Sequence, residues 1–159
     1  MDDFIIIGGG IAGISVAALL SKYAKVTLLE AEENLSYHAS GRSAAIFIKD
    51  YGNESVKALT YLSSEYLEQE NGGVLSGRGL LLLAGKEDKD NFVSEYRQLG
   101  MEEISTSLAS KKIPLLNRSS INKAAFREDV FDIDTNQLFQ NFLKQAQKNG
   151  TNIEKNSEV

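Results

Sequence analysis

The sequence predicts an α/β fold whose sheet begins with parallel strands, and three observations carry that expectation. A wholly apolar, mostly β-branched run (Phe4-Ile5-Ile6-Ile7) ends at glycine, a stretch of small and apolar residues follows, and a second short run closes on a carboxylate, all between residues 4 and 30. Strand, helix and strand in so short a span form a βαβ unit, which nearly always closes as a right-handed parallel crossover.

Each element follows from its residues. Phe4–Ile7 has no polar position, so it is expected to be covered on both faces. Ile11 to Ser21 is rich in Ala, Ile and Leu and predicts a buried helix; Lys25 to Glu30 predicts the second strand. Glu32 to Ser40 is polar and loop-like, and Gly41 to Ile48 is expected to open a short helix. Glu54 to Gln69 places Val56, Leu59, Leu62 and Tyr66 on one helical stripe before Gly72-Gly73 ends it. Leu80 to Leu83 predicts a strand, Glu87 to Leu99 a charged amphipathic helix around Phe92 and Tyr96, and the segment through Pro114 is less regular. Lys123 to Arg127 predicts a strand. Asp134 to Lys148 predicts a helix with Thr135 near its N-cap and Leu138, Phe139, Phe142, Leu143 and Ala146 inward, and Thr151 to Lys155 a last strand.

Composition narrows the function. Leu, Ile, Val and Phe make up about 28% of the 159 residues, above the ~20% level below which disorder is the default. There is no Cys and one His, which leaves no disulfide framework, thiolate or multi-histidine metal site, or cysteine nucleophile. With 17 Lys+Arg against 22 Asp+Glu the net charge is −5, the wrong sign for a nucleic-acid binder. The uncharged stretch Phe4 to Ser21 reaches the lower length limit of a membrane span. Asp2 and Asp3 precede it and Gly8 to Gly10 interrupt it, so a strand, turn and helix explain it better than a span or a signal peptide. The expected location is the cytoplasm.

The chemistry sits in Gly8-x-Gly10-x-x-Gly13, between the first strand and the first helix. Gly8 permits a tight turn, Gly10 lets backbone approach a diphosphate, and Gly13 lets helix and strand pack closely. The amides at the helix start attract phosphate. Glu30 lies 17 residues beyond Gly13, at the tip of the second strand, where a carboxylate can accept ribose hydroxyls. These features make the unit Rossmann-like. The cradle alone fits NAD or FAD. The third parallel strand arrives only near Asn152, after a long insertion, and a second polar glycine turn, Ser40-Gly41-Arg42-Ser43, follows closely on Glu30, which favours FAD.

The stretch Gly8 to Glu30, together with Ser36-Tyr37-His38-Ala39-Ser40-Gly41-Arg42-Ser43-Ala44-Ala45, resembles the D-amino-acid oxidase-like FAD-dependent oxidoreductases, nearest to the bacterial D-amino-acid dehydrogenases of the D-arginine type. The similarity continues through Tyr51-Gly52, the Leu-rich strand and Asp132-Ile133-Asp134-Thr135. It implies an enzyme that oxidises an amino-acid carbon–nitrogen bond by hydride transfer to flavin, with oxygen or a quinone as acceptor. By position, Gly8, Gly10, Ile11, Ala12 and Gly13 would hold the pyrophosphate and Glu30 the ribose. Ser40, Arg42, Ser43, Ala44 and Ala45 would run beside phosphate, ribityl and isoalloxazine, and Val159 would meet adenine.

The implied organisation is an FAD-binding βαβ unit and flavin-side helix in 1–52, part of an inserted α+β substrate domain in 53–131, and the return helix and strand in 132–159, apparently truncated. Family members are more than twice this length and place a carboxylate-clamping arginine and a second flavin contact in the remainder, so a partner chain supplying that half is expected. Tyr51 and Leu80 are the substrate-pocket candidates. Leu80 and Ile46 replace an acidic residue and a histidine of the nearest relatives, and a leucine cannot pair with a guanidinium, so a neutral or apolar amino acid is expected. His38 is expected to make a local hydrogen bond rather than serve as a base. The carboxylates Asp88, Asp90, Glu102, Glu103, Glu128 and Asp129 are expected to be solvated surface. The rival readings are a non-catalytic FAD-binding fragment and an NAD-dependent dehydrogenase.

Overall fold

A computed structural model describes residues 1–85 and 87–159; Lys86 and the side chains of Lys89 and Asp90 lie outside the described part. The chain divides into two compact units, one made of Met1–Ala45, Gln69–Val74 and Ile133–Val159, the other of Ile46–Glu68 and Leu75–Asp132. Residues 46–52, grouped with the βαβ unit in the sequence reading, here pack with the insertion.

The first unit is the βαβ core. Strands β1 (Phe4–Ile7), β2 (Val26–Leu29) and β9 (Asn152–Glu154) form a parallel sheet in the order β1-β2-β9, with Ile6 opposite Leu28 and Leu28 opposite Ile153. Helix α1 (Ile11–Leu20) packs on this sheet and against α5 (Thr135–Lys148); Ile14, Ala17, Ala18, Leu28 and Ala146 are sealed from solvent. Small residues on α1 allow that approach. The N-cap of α5 is Asp134, whose Oδ1 accepts the Gln137 N–H at 2.8 Å; Thr135 is the first helical residue.

β1 corrects the sequence expectation. It is not covered on both faces: Ile5 and Ile7 are 64% and 69% exposed. The strand lies at the sheet edge, and among the described residues nothing pairs with its outer side.

The second unit holds two antiparallel sheets. In one, β5 (Leu80–Ala84), β7 (Lys123–Arg127) and β6 (Glu102–Ile104) run in the order β5-β7-β6; in the other, β3 (Ile46–Phe47), β8 (Phe131–Ile133) and β4 (Leu75–Gly77) run β3-β8-β4. Ala84, Phe92, Met101 and Ala125 form a core cluster with Leu80, Leu82 and Tyr96 packed on it, and Phe92 comes from α3 (Lys89–Gln98). Helix α4 (Thr106–Lys112) is capped by Ser105, whose Oγ accepts the Leu108 N–H.

One further expectation is corrected, and two features add to the sequence reading. The segment from Gly41 does not open a helix: a single 3-10 turn covers Ala39–Arg42, Ser43 is extended, and the chain enters β3. On α2 (Glu54–Gln69), Val56, Leu59 and Leu62 are exposed, so among the described residues nothing covers this part of the apolar stripe. Asp129 lies at the surface as expected, and there both its oxygens accept from Arg127, at 2.7 and 2.9 Å. Among the described residues no helix is long and apolar enough to cross a membrane.

Candidate functional site

The glycine turn joins β1 to α1 and is built for close approach. Gly8 has φ +97°, a conformation costly for other residues, and a Cβ there would meet nothing within 4 Å, so this corner of the turn is open. At Gly13 the reverse holds: a Cβ would fall 1.9 Å from the Gly8 carbonyl oxygen, so only glycine lets the helix sit this close to the turn. Gly10 is the N-cap of α1 and offers no side-chain cap. Its Cβ would lie 3.1 Å from Ser40 Oγ, the same oxygen that accepts the Ile11 N–H at 3.0 Å. Among the described residues the N–H groups of Ala12 and Gly13 have no acceptor. Free donors at a helix start, on a backbone stripped of side chains, suit an anion.

Glu30 is held at the same turn. The residue is 9% exposed, and its carboxylate accepts the Gly9 N–H at 2.7 Å and the Glu32 N–H at 3.0 Å. The Glu32 N–H foremost, with those of Gly9 and Ala31, keeps this carboxyl below its ordinary value, although burial pushes the other way. Two donors occupy about half of a carboxylate's four acceptor positions, which leaves capacity for hydroxyl groups. A Cβ at Gly9 would fall 2.9 Å from Glu30 Oε2. A side chain at this position, which the motif leaves free, would have to displace the ends of the Glu30 and Leu35 side chains.

The 3-10 turn closes the other side. Ile11, Ala39, Ser40, Ser43 and Ala45 line a cavity of about 350 Å³ with Ile133, Thr135, Leu138 and Phe139. The latter four were not among the site residues expected from sequence; three lie on α5, whose apolar face was legible only as core. A smaller cavity of about 240 Å³ shares Ser40, Thr135 and Phe139. Hence the glycine turn, Glu30, Ser40, Ser43 and Ala45 come together in one unit.

Others stand apart. Arg42 lines neither cavity; its Nε donates to the Tyr37 carbonyl at 3.3 Å and its guanidinium lies 5.6 Å from the Tyr37 ring centroid. Ala44 is exposed and Val159 is 80% exposed. His38 makes the local bond expected of it, 2.9 Å from Glu32 Oε1. Tyr51 and Leu80 belong to the second unit, Tyr51 exposed and Leu80 half-buried.

The same fold recurs in solved enzyme structures. An L-α-glycerophosphate oxidase from Mycoplasma pneumoniae with FAD bound superposes at a TM-score of 0.82 and 22% identity, over 99% of this chain and 45% of that one. A glycine oxidase from Bacillus cereus matches at 0.80 and 22%, over 100% and 48%. An L-proline dehydrogenase from P. horikoshii matches at 0.75 and 20%, over 98% and 44%. The chain thus spans less than half the length of each. At sequence level the family model described as FAD dependent oxidoreductase matches residues 3–159. The bare-backbone cradle at a helix start, with a carboxylate beside it, agrees with that match, and the chain belongs to the FAD-dependent oxidoreductase family.

Proposed function

We propose that this chain is the nucleotide-holding share of an FAD-dependent oxidoreductase that oxidises an amino-acid amine, and that it works with polypeptide supplying the rest of the enzyme. The observation that carries the reading is the turn itself: open at Gly8, tight at Gly13, with unused N–H groups on Ala12 and Gly13 and Glu30 locked alongside. Bound FAD would supply the acceptor for the hydride leaving the substrate carbon. The protein's part is binding and orientation. Gly8, Gly10, Ile11, Ala12 and Gly13 hold the diphosphate, and Glu30 accepts from the ribose. Ser40 fixes the first amide of α1. Ser43 and Ala45, with Ile133, Leu138 and Phe139, form a largely apolar wall that keeps water from the reacting face, and Ala44 runs beside it. Arg42 braces the turn through Tyr37, and Val159 supplies backbone for adenine.

The substrate class rests on the resemblance, and two of the three structures above are named for amine-bearing compounds, glycine and proline. Leu80 and Tyr51 present no carboxylate to a cationic side chain, so a neutral or apolar amino acid fits best.

The test is FAD titration of the purified chain, followed by quenching of flavin fluorescence, together with a dye-reduction assay using neutral D-amino acids. Flavin binds to the parent chain and its retention drops for Gly10→Val, whose side chain crowds Ser40 and the phosphate approach. The chain alone turns over no amine. Equal flavin content in parent and variant overturns the cofactor placement, and turnover by the chain alone overturns the need for a complement.

A further inference from the structure

The β5–β7 register sets Leu81 opposite Phe126, and Gly79 just before β5 takes φ +72°. A Cβ at Gly79 would lie 2.8 Å from Phe126 Cζ, so glycine there makes room for the ring. Between these residues and the end of α4 opens a cleft of about 510 Å³, lined by Arg78, Gly79, Leu80, Leu81, Lys112, Ile113 and Phe126. That is ample for a small organic molecule. Its walls are more apolar than polar, and its two charged members are both cations.

The cations are not equivalent. Arg78 Nη1 donates to Asp132 Oδ1 at 2.6 Å, so its charge is answered. Lys112 Nζ rests 3.6 Å from the Phe126 ring centroid, and among the described residues no carboxylate pairs with it. The ring face attracts an ammonium without neutralising it. One positive charge is left over beside an apolar surface, in a chain whose net charge is −5.

We propose that this cleft binds a monoanionic organic ligand: one carboxylate received by Lys112, and a hydrocarbon or aromatic body covered by Leu80, Leu81, Ile113 and Phe126. A cationic body is repelled by Arg78 and Lys112, and a polyanion finds only one uncompensated charge. The cleft shares Leu80 with the substrate-pocket reading above, but the glycine turn plays no part in it, so the inference stands or falls independently of the cofactor placement.

The experiment is a two-dimensional NMR titration of the full 159-residue chain with acetate, butyrate, hexanoate, hexanamide and hexylammonium. Resonances of Leu80, Leu81 and Phe126 move with hexanoate, and affinity rises about threefold per added methylene. Hexanamide and the Lys112→Gln variant each weaken binding about fivefold, the size of one partly exposed charge pair, while Lys144→Gln in the other unit changes nothing. Equal binding of hexanoate and hexanamide overturns the proposal, as does acetate binding as tightly as hexanoate, or an absence of shifts at these residues. The ligand series on the parent chain decides the matter even if a variant does not fold.

Discussion

A methyl group at Gly13 has nowhere to go, because the Gly8 carbonyl stands 1.9 Å from where its carbon would be. Gly13→Ala therefore forces the turn and α1 apart and costs about 1–3 kcal/mol, the range for overpacking; urea unfolding of variant and parent measures it. Glu30 gives a second residue-level prediction, with a sign. Its carboxyl is held below the ordinary 4.5, so its stabilising contribution is complete above that pH and disappears as pH falls through the lower folded value. Glu30→Gln places an NH₂ group against one of two N–H donors and costs about 1–2 kcal/mol at neutral pH. The gap between variant and parent closes in acid; a gap that stays constant down to pH 3 would show that the charge is irrelevant. The motif spacing made Gly8, Gly10, Gly13 and Glu30 legible from sequence because each position has a steric or charge requirement of its own. Gly9 was missed because its requirement is a neighbour's: it must leave room for Glu30 and for Leu35, whose Cδ2 would lie 2.4 Å from a Cβ there.

Between elements the chief tie is Arg127, 8% exposed at the end of β7. It holds Asp129 with two bonds, the Leu99 carbonyl at 2.8 Å, and Asp50 in the loop after β3. These carboxylates, that of Asp129 foremost, push its already high pKa higher still, so the charge persists at any working pH. Arg127→Met loses bonds to three segments and costs about 1–3 kcal/mol, less than for a fully buried pair because Asp50 and Asp129 are free to turn to water; a lowered urea midpoint is the readout. Helices α2 and α3 make a contrast. Phe92→Ala removes a buried ring and costs about 3–5 kcal/mol, whereas Leu59→Glu on α2 changes stability by less than about 0.5 kcal/mol, because that side chain is 65% exposed. Sequence periodicity located both helices. It registers amphipathicity but says nothing of whether a partner for the apolar stripe lies within the same chain. The short pieces β4, β6, β8 and α4 escaped for another reason: with three residues per strand and seven in the helix, pairing and a single Ser105 cap define them rather than any repeating pattern.

On the scale of the molecule, the parallel sheet stops where such sheets ordinarily continue, since nucleotide-binding folds of this kind extend the strand order 3-2-1 beyond the first strand. Our proposal that further polypeptide completes the enzyme locates its first contact there. Supplying the remaining part of the family domain in trans should raise flavin retention and protect the amides of β1 from hydrogen exchange; unchanged exchange at Phe4–Ile7 would place the junction elsewhere. Natural edge strands are usually guarded by a lysine, a proline or a bulge, and Phe4-Ile5-Ile6-Ile7 has none of these. Left unattended in concentrated solution, those residues offer each molecule a template for the next. Such a protein should keep best dilute and cold, and turbidity on concentrating should yield to one lysine written in at Ile5.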